Sequence, residues 1–406
     1  MKEEITVALA GLGGYGHFYL NALLPQSKQP GLRLVAGIDP VPANCPYLTE
    51  IEAAGVPIYP GLTDFYEVGH ADLVVVAAPI HLHWPLTQQA LAHGSHVLCE
   101  KPLCATFQET QQFIAAQQAA DRIVAVGYQW SFAEAILDLK ADIQAGRLGQ
   151  PIRLKSYVFW PRGTTYYGRN RWAGRIKTED GQWVLDSPVN NATAHYLHNM
   201  FFVLGDRPET TAMPVSVQAE LYRANPIQNY DTAALRSTTE DGVEILFYTA
   251  HPVSDNIGPV FEYEFEEAVV RYADRGARII ATYRDGRRHD YGDPFADDRR
   301  KLWLTADAIR NGGQVVCQPQ TAVAQVLAMN GVQESKPDII DYPPELLRTT
   351  GEITWVEGLL GDLKICYDRY LLPAEAGDIS WASAGKLIDL QAYSTFPQTA
   401  RLNAQS

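Results

Sequence analysis

The sequence predicts an α/β fold, in which a doubly wound parallel sheet is followed by an α+β domain with a mostly antiparallel, open-faced sheet. Three observations carry this. Residues 5–16, ITVALAGLGGYG, run a short apolar strand into a glycine cluster and then into a helical stretch that ends before Pro25. From there to about residue 126, apolar strand-like runs alternate with helical stretches, the rhythm of βαβ units. Beyond Tyr128 the period changes, and alternating strand patterns dominate to about residue 283.

Gly11, Gly13 and Gly16 fit G-x-G-x-x-G: the first allows a tight turn, the second lets backbone approach a pyrophosphate, and the third lets the helix pack on the strand. The helix N-terminus then turns unpaired N–H groups and a positive dipole end towards phosphates. The next strand, residues 32–38, ends in Asp39, whose carboxylate can accept the ribose hydroxyls of an adenosine. This is a Rossmann layout, with Gly11, Leu12, Gly13, Gly14, Tyr15, Gly16 and Asp39 as expected cofactor contacts. The run LVVVAA at 73–78 is apolar on both faces, as a buried parallel strand should be, and Pro79 ends it. Strand 96–99 leads directly into Glu100-Lys101-Pro102, and strand 123–126 follows the helix 107–120. Ligands of such a sheet sit beyond the C-terminal strand ends, so Ala78, Pro79, His83, Glu100, Lys101 and Gln129 join the expected cofactor edge. The cofactor expected is NAD, because Asp39 would repel a 2′-phosphate and residues 34–100 hold no Lys or Arg to offset it.

The remaining composition narrows the class. At 406 residues, 46% apolar and 20% charged, the chain reads as a soluble globular protein of two or three domains. A formal charge of −14 without a basic tail argues against nucleic acid and anionic membrane as partners. Cys45, Cys99, Cys104, Cys317 and Cys366 are an odd set without C-x-x-C spacing, so neither disulfides nor a metal is expected. Reduced thiols and an N-terminus without signal-peptide character point to the cytoplasm. No run approaches the length of a membrane span.

With these residues in place, the sequence resembles the Gfo/Idh/MocA-type oxidoreductases. The matching stretches are GLGGYG, ADLVVVAAPIHLHWPLTQQALAHGSHVLCEKPL, GYQW, GRLGQP, the helix from His195 to the LG ending at Gly205, and TAVAQVLAMNGVQES. Together they span about residues 5–335. The resemblance implies an NAD(P)-binding Rossmann domain over 1–128 and a substrate and oligomerisation domain over 129–335, with 336–406 an extension of unknown role packed on the domains. It implies sugar, polyol or cyclic alcohol substrates and a homodimer or homotetramer built on the open sheet. The lysine of the family's E-K-P motif corresponds to Lys101 and its helix-borne catalytic histidine to His195. The family usually has an aspartate four residues before that histidine, where this chain has Asn191, and often another three residues after it, where His198 stands.

The residues themselves support roles beside this analogy. Lys101, at a strand end, can hydrogen-bond a substrate oxygen and stabilise the charge that develops there; otherwise it is a surface lysine paired with Glu100. His195 and His198 share a helix face, which permits a proton relay or a metal pair, with His198 otherwise a structural residue. His81 is expected to be solvated. The segment Trp160–Arg175 holds Arg162, Arg169, Arg171 and Arg175 among tyrosines and tryptophans. That composition suits either an oxygen-rich planar ligand or a protein contact. Arg162, Tyr166 and Trp172 therefore join Lys101, Asn191 and His195 as substrate candidates. The expected activity is hydride transfer between NAD and a hydroxyl or ketone of such a substrate. An NAD-retaining glycoside hydrolase and a non-catalytic dinucleotide-binding sensor remain open beside it.

Overall fold

The computed structural model describes residues 4–24 and 31–398, which form two compact units. Unit 1 takes the described residues of 1–104, 109–132 and 297–322; unit 2 takes those of 105–108, 133–296 and 323–406.

Unit 1 is built on six parallel strands, β1 (Ile5–Ala10), β2 (Leu32–Ile38), β3 (Ile58–Tyr59), β4 (Leu73–Val76), β5 (His96–Cys99) and β6 (Val124–Val126), in the order 3-2-1-4-5-6. The order reverses between β1 and β4, and a doubly wound sheet opens its ligand crevice at such a switch point. All four residues of β4 are buried, as the two-sided apolar run predicts. One assignment is corrected here. The helix Arg300–Asn311, expected in the second domain, belongs to unit 1, as does the segment that follows it. Lys301 of that helix is buried against Glu100, and the Cys317 carbonyl accepts a hydrogen bond from Val126 N at 2.9 Å.

Unit 2 carries strands β7 (Pro151–Phe159), β8 (Pro214–Arg223), β9 (Thr232–Thr239), β10 (Glu244–Ala250), β11 (Ile257–Phe265), β12 (Ala268–Tyr272), β13 (Ile279–Tyr283), β14 (Arg288–Gly292) and β15 (Ile340–Asp341). Their order is 14-13-12-11-7-10-9-8-15, antiparallel except for the β7–β10 and β8–β15 pairs. Helices Glu134–Gln144 and Ala194–Val203 pack on one face. Phe261, Tyr263 and Phe265 of β11 are buried, and Asn199 Nδ2 donates to the Tyr263 hydroxyl at 2.9 Å. These alternate aromatics are core residues.

The face expected to stand open is in large part covered. Phe159, Tyr222, Leu246 and Tyr248 pack with Leu359, Leu363, Cys366 and Tyr367 of the helix Leu359–Arg369, and with Leu372 and Trp381 beyond it. Polar groups lock this cover down: Tyr248 Oη donates to the Leu371 carbonyl at 2.8 Å, and Trp381 Nε1 to Asp362 at 3.0 Å. Where the cover ends, the surface is ionic, with Arg153–Glu264 at 2.7 Å and Arg271–Glu262 at 2.7 Å. An uncovered apolar sheet would invite a partner, whereas this surface is occupied or charged. The apolar part of the face on which a homo-oligomer was expected is therefore covered by this chain's own helix.

Burial also sets a pH response. His198 is buried, stacked on Phe202 at 5.8 Å, and burial with the nearby Lys140 ammonium lowers its pKa to about 3. Below the unfolded value of about 6.5 the unfolded chain binds a proton that the folded chain refuses, so stability falls with pH until about 3. His198→Gln should remove about 1.4 kcal/mol per pH unit from the slope of unfolding free energy between about pH 6 and 4. Denaturant titrations of parent and variant at several pH values measure it, and equal slopes would refute the assignment.

Candidate active site

In unit 1 the glycine loop has the geometry its spacing predicts. Gly11 sits at φ +92°, and a Cβ there would lie 2.6 Å from the Ala77 carbonyl oxygen; a Cβ on Gly16 would lie 2.1 Å from that of Gly11. Both positions exclude any side chain. Gly13 differs, since a Cβ there would meet nothing within 4 Å. No protein neighbour demands a glycine at 13, but a pyrophosphate resting on the backbone would. Asp39 joins β2 to this loop: Oδ2 accepts from Leu12 N at 2.9 Å and Oδ1 from Val41 N at 2.8 Å. Each oxygen keeps a second acceptor position for a ribose hydroxyl. The residues fit a dinucleotide.

Glu100 and His83, expected as cofactor contacts, have other work. Glu100 is 5% exposed; it accepts from Tyr19 Oη at 2.6 Å, from Lys101 N at 3.1 Å and from the buried Lys301 ammonium. Gly127 makes room, because a Cβ there would come within 2.8 Å of the carboxylate. Burial disfavours the charged lysine, but Glu100 and Tyr15 outweigh it and hold the Lys301 pKa above its usual value. His83 is 1% exposed, with Nδ1 2.8 Å from the Pro102 carbonyl oxygen and Nε2 2.9 Å from that of Ala78. It braces the ends of β4 and β5 rather than reaching out to a ligand. Tyr15 Oη donates to Gln129 Oε1 at 3.4 Å, and Gln129 Nε2 to Asp298 at 3.2 Å. Lys101 and Pro79 are half-buried beside these groups.

In unit 2 the structure gathers most of the substrate candidates around an aspartate. The Tyr166 ring takes the Arg169 guanidinium at 3.7 Å and that of Arg162 at 5.0 Å; Arg169 also faces Trp172 at 5.2 Å and Asp186 at 3.7 Å. Asp186 is 2% exposed and accepts from Gly174 N at 2.6 Å and Asn191 Nδ2 at 2.7 Å. The backbone is strained to place it. Leu185 sits at φ +47°, costly for a bulky side chain, and its carbonyl is held by Asn190 Nδ2 at 3.2 Å. Ser187 then caps a π-turn over Pro188–Ala192 that carries Asn191. Because a carboxylate only accepts, the Asn191 amide is fixed with its nitrogen on Asp186 and its oxygen left as the acceptor end. His195 follows, half-buried, in the first turn of Ala194–Val203. His251 Nδ1 lies 2.9 Å from the Trp160 carbonyl oxygen, and burial with the Arg162 charge lowers its pKa to about 3.

Residues 5–128 match the model of an oxidoreductase family with an NAD-binding Rossmann fold. This segment is similar to the Gfo/Idh/MocA oxidoreductases. The scyllo-inositol 2-dehydrogenase (NAD(+)) of Bacillus subtilis is 28% identical over 161 residues, 39% of this chain and 45% of that protein. Inositol 2-dehydrogenase 4 of Saccharopolyspora erythraea is 33% identical over 155 residues, 37% of this chain and 44% of its own. The chain thus aligns with less than half the length of these curated relatives. The fold extends further. The WlbA dehydrogenase from Bordetella pertussis, solved with NADH and UDP-GlcNAcA, superposes with a TM-score of 0.67 at 20% identity, over 82% of this chain and 97% of that one. The aldose-aldose oxidoreductase from Caulobacter crescentus gives 0.66 at 18%, over 82% and 98%.

Among site residues, sequence reasoning missed Tyr19, Asp186, Asp298 and Lys301. Asp186 had a signal, as the only acidic residue between 181 and 195 in the Gfo/Idh/MocA-like chain. Lys301 had none, being 201 residues from its partner. Among the described residues no cluster of His, Cys, Asp or Glu could hold a metal. Two outcomes follow from the unit 1 geometry. Gly13→Ala should keep the parent melting temperature yet weaken NAD+ binding by about tenfold or more, about 1.4 kcal/mol, in a calorimetric titration. Lys301→Met should cost about 3–5 kcal/mol in chemical denaturation, since it leaves Glu100 buried without its counter-charge. A loss under about 1 kcal/mol would show that water reaches the pair.

Proposed function

We propose that the protein is an NAD-dependent oxidoreductase acting on a hydroxyl, or the matching ketone, of a sugar, polyol or related cyclic alcohol. The observation that carries this reading is the loop Gly11–Gly16 with Asp39, whose free acceptor positions suit an unphosphorylated ribose. Its curated relatives are named as inositol dehydrogenases. NAD is preferred to NADP because no lysine or arginine lies between residues 34 and 100 to balance Asp39. The five cysteines are buried free thiols, which suits a cytoplasmic location.

When bound, NAD supplies the hydride acceptor or donor. In this reading the Lys101 ammonium hydrogen-bonds the substrate oxygen and stabilises its charge as the C–H bond breaks or forms. His195 takes up or returns the hydroxyl proton. Asn191 positions rather than charges the site, with Asp186 behind it as the carboxylate the family places at 191. That carboxylate weakens the case for a non-catalytic sensor, which rested on the asparagine.

The test is a screen for NAD+ reduction across polyols and sugars, followed by kinetics of Lys101→Ala and His195→Ala. Each should bind NAD+ like the parent and lose about 10²–10⁴ in kcat. If His195→Ala retains more than about a tenth of the parent rate, the histidine is structural and the proton moves elsewhere. Glycoside cleavage without net NADH release, with NAD surviving gel filtration, would instead establish the NAD-retaining hydrolase.

A further inference from the structure

Residues 151–178 carry seven basic residues and no acidic one, in a chain whose net charge is −14. Most of these charges are balanced. Arg153 pairs with Glu264, Lys155 with Glu262, Arg169 with Asp186 and Arg175 with Glu179 at 3.6 Å. Arg162 and Arg171 have no carboxylate within ion-pair distance among the described residues. The Arg162 guanidinium is half-buried beside Tyr166; Nη1 donates to the Pro161 carbonyl at 3.0 Å, while Nε is buried without a hydrogen-bond partner. Nearby His251 is held neutral by burial and by the Arg162 charge, so it adds no second cation. A partly desolvated cation without a counter-charge is unfavourable, so a structure that keeps one has a use for it.

Arg171 opens onto a space. With Arg175, Asn170, Thr164 and Gln228 it lines a cleft of about 510 Å³, the size of a small-molecule site. Its walls are rigid: Asn170 Oδ1 accepts from Trp172 N and Ala173 N at 3.0 and 2.7 Å, and Gly174, at φ +68°, packs directly on Ile227. The Gly174 N–H reaches Asp186, so one short stretch builds the cleft wall and holds the aspartate of the proposed site.

We propose that the substrate is an anionic sugar or polyol derivative, whose carboxylate or phosphate is seated in this cleft by Arg171 and Arg175, with Arg162, on the Tyr166 ring beside the cleft's Tyr167, adding uncompensated positive charge. Guanidinium forks match the paired oxygens of either group. This deepens the oxidoreductase reading and rests on it. A neutral polyol would leave both guanidinium groups without a counter-charge.

The test compares D-gluconate, D-glucuronate and D-glucose 6-phosphate with D-glucose and D-sorbitol, by NADH formation and by calorimetry on protein loaded with NADH. At least one anionic compound should bind at least about tenfold more tightly than its neutral counterpart. Arg171→Gln and Arg162→Gln should each remove most of that preference, and Arg278→Gln, on a distant exposed pair, should not. The carboxylate and phosphate arms identify which anion is meant. Neutral compounds reacting as well as the acids, or unchanged arginine variants, would overturn the proposal while the oxidoreductase reading stands. If nothing yields NADH, the oxidoreductase reading fails, and calorimetry still decides: gluconate or phosphosugar binding lost in the arginine variants upholds the anion site, and no binding ends it.

Discussion

Glu100 follows the buried residues Val97, Leu98 and Cys99 of β5 and is itself buried, where a carboxylate cannot keep its water shell. Its charge has to be met from within the protein, and Lys301 meets it from a helix 201 residues further along the chain. A lone buried ion would cost several kcal/mol, so the pair forces Arg300–Asn311 back onto the sheet. Much else in unit 1 hangs on that contact. Tyr19 anchors the first helix to the same carboxylate, Tyr15 extends the glycine loop to the same ammonium, and the Lys101 backbone is held by its neighbour's other oxygen. The motif's glutamate thus acts as the post on which Lys101 and the dinucleotide loop are both mounted.

A second carboxylate has the same logic in unit 2. Asn191 is an uncharged amide, yet a carboxylate stands beside it. It belongs to Asp186, one hydrogen bond away, behind a left-handed Leu185 and a π-turn that together aim the side chains. Strain of this kind persists only where surrounding bonds over-determine the backbone, and Asn190, Ser187 and Gly174 supply those bonds here. The arrangement leaves Asn191 unable to flip, which an aspartate in its place would not need.

The residues after 336 change what the large sheet can do. Their helix and tryptophan fill the apolar half of a face that would otherwise be exposed, and salt bridges occupy the rest. A sheet face so finished no longer needs a second chain to bury it. Packing of this kind can be performed by many sequences, so it leaves no motif to read.

What the amino-acid sequence determined alone was whatever depends on neighbours within a few tens of residues. The strand-to-glycine corner, Asp39 at the end of β2, the two-sided β4 and the change to antiparallel pairing are all local patterns, since backbone sterics and side-chain period act at short range. Tertiary structure decided everything that depends on partners far along the chain. It turned Glu100 and His83 from ligands into braces, assigned Lys301 and its helix to the first unit, and set Asp186 behind Asn191. It also turned the aromatics of 261–265 inward and laid the last helix over the sheet. A desolvated charge or an uncovered apolar face specifies that some partner must come, but its identity is settled only when the folded chain brings distant segments together.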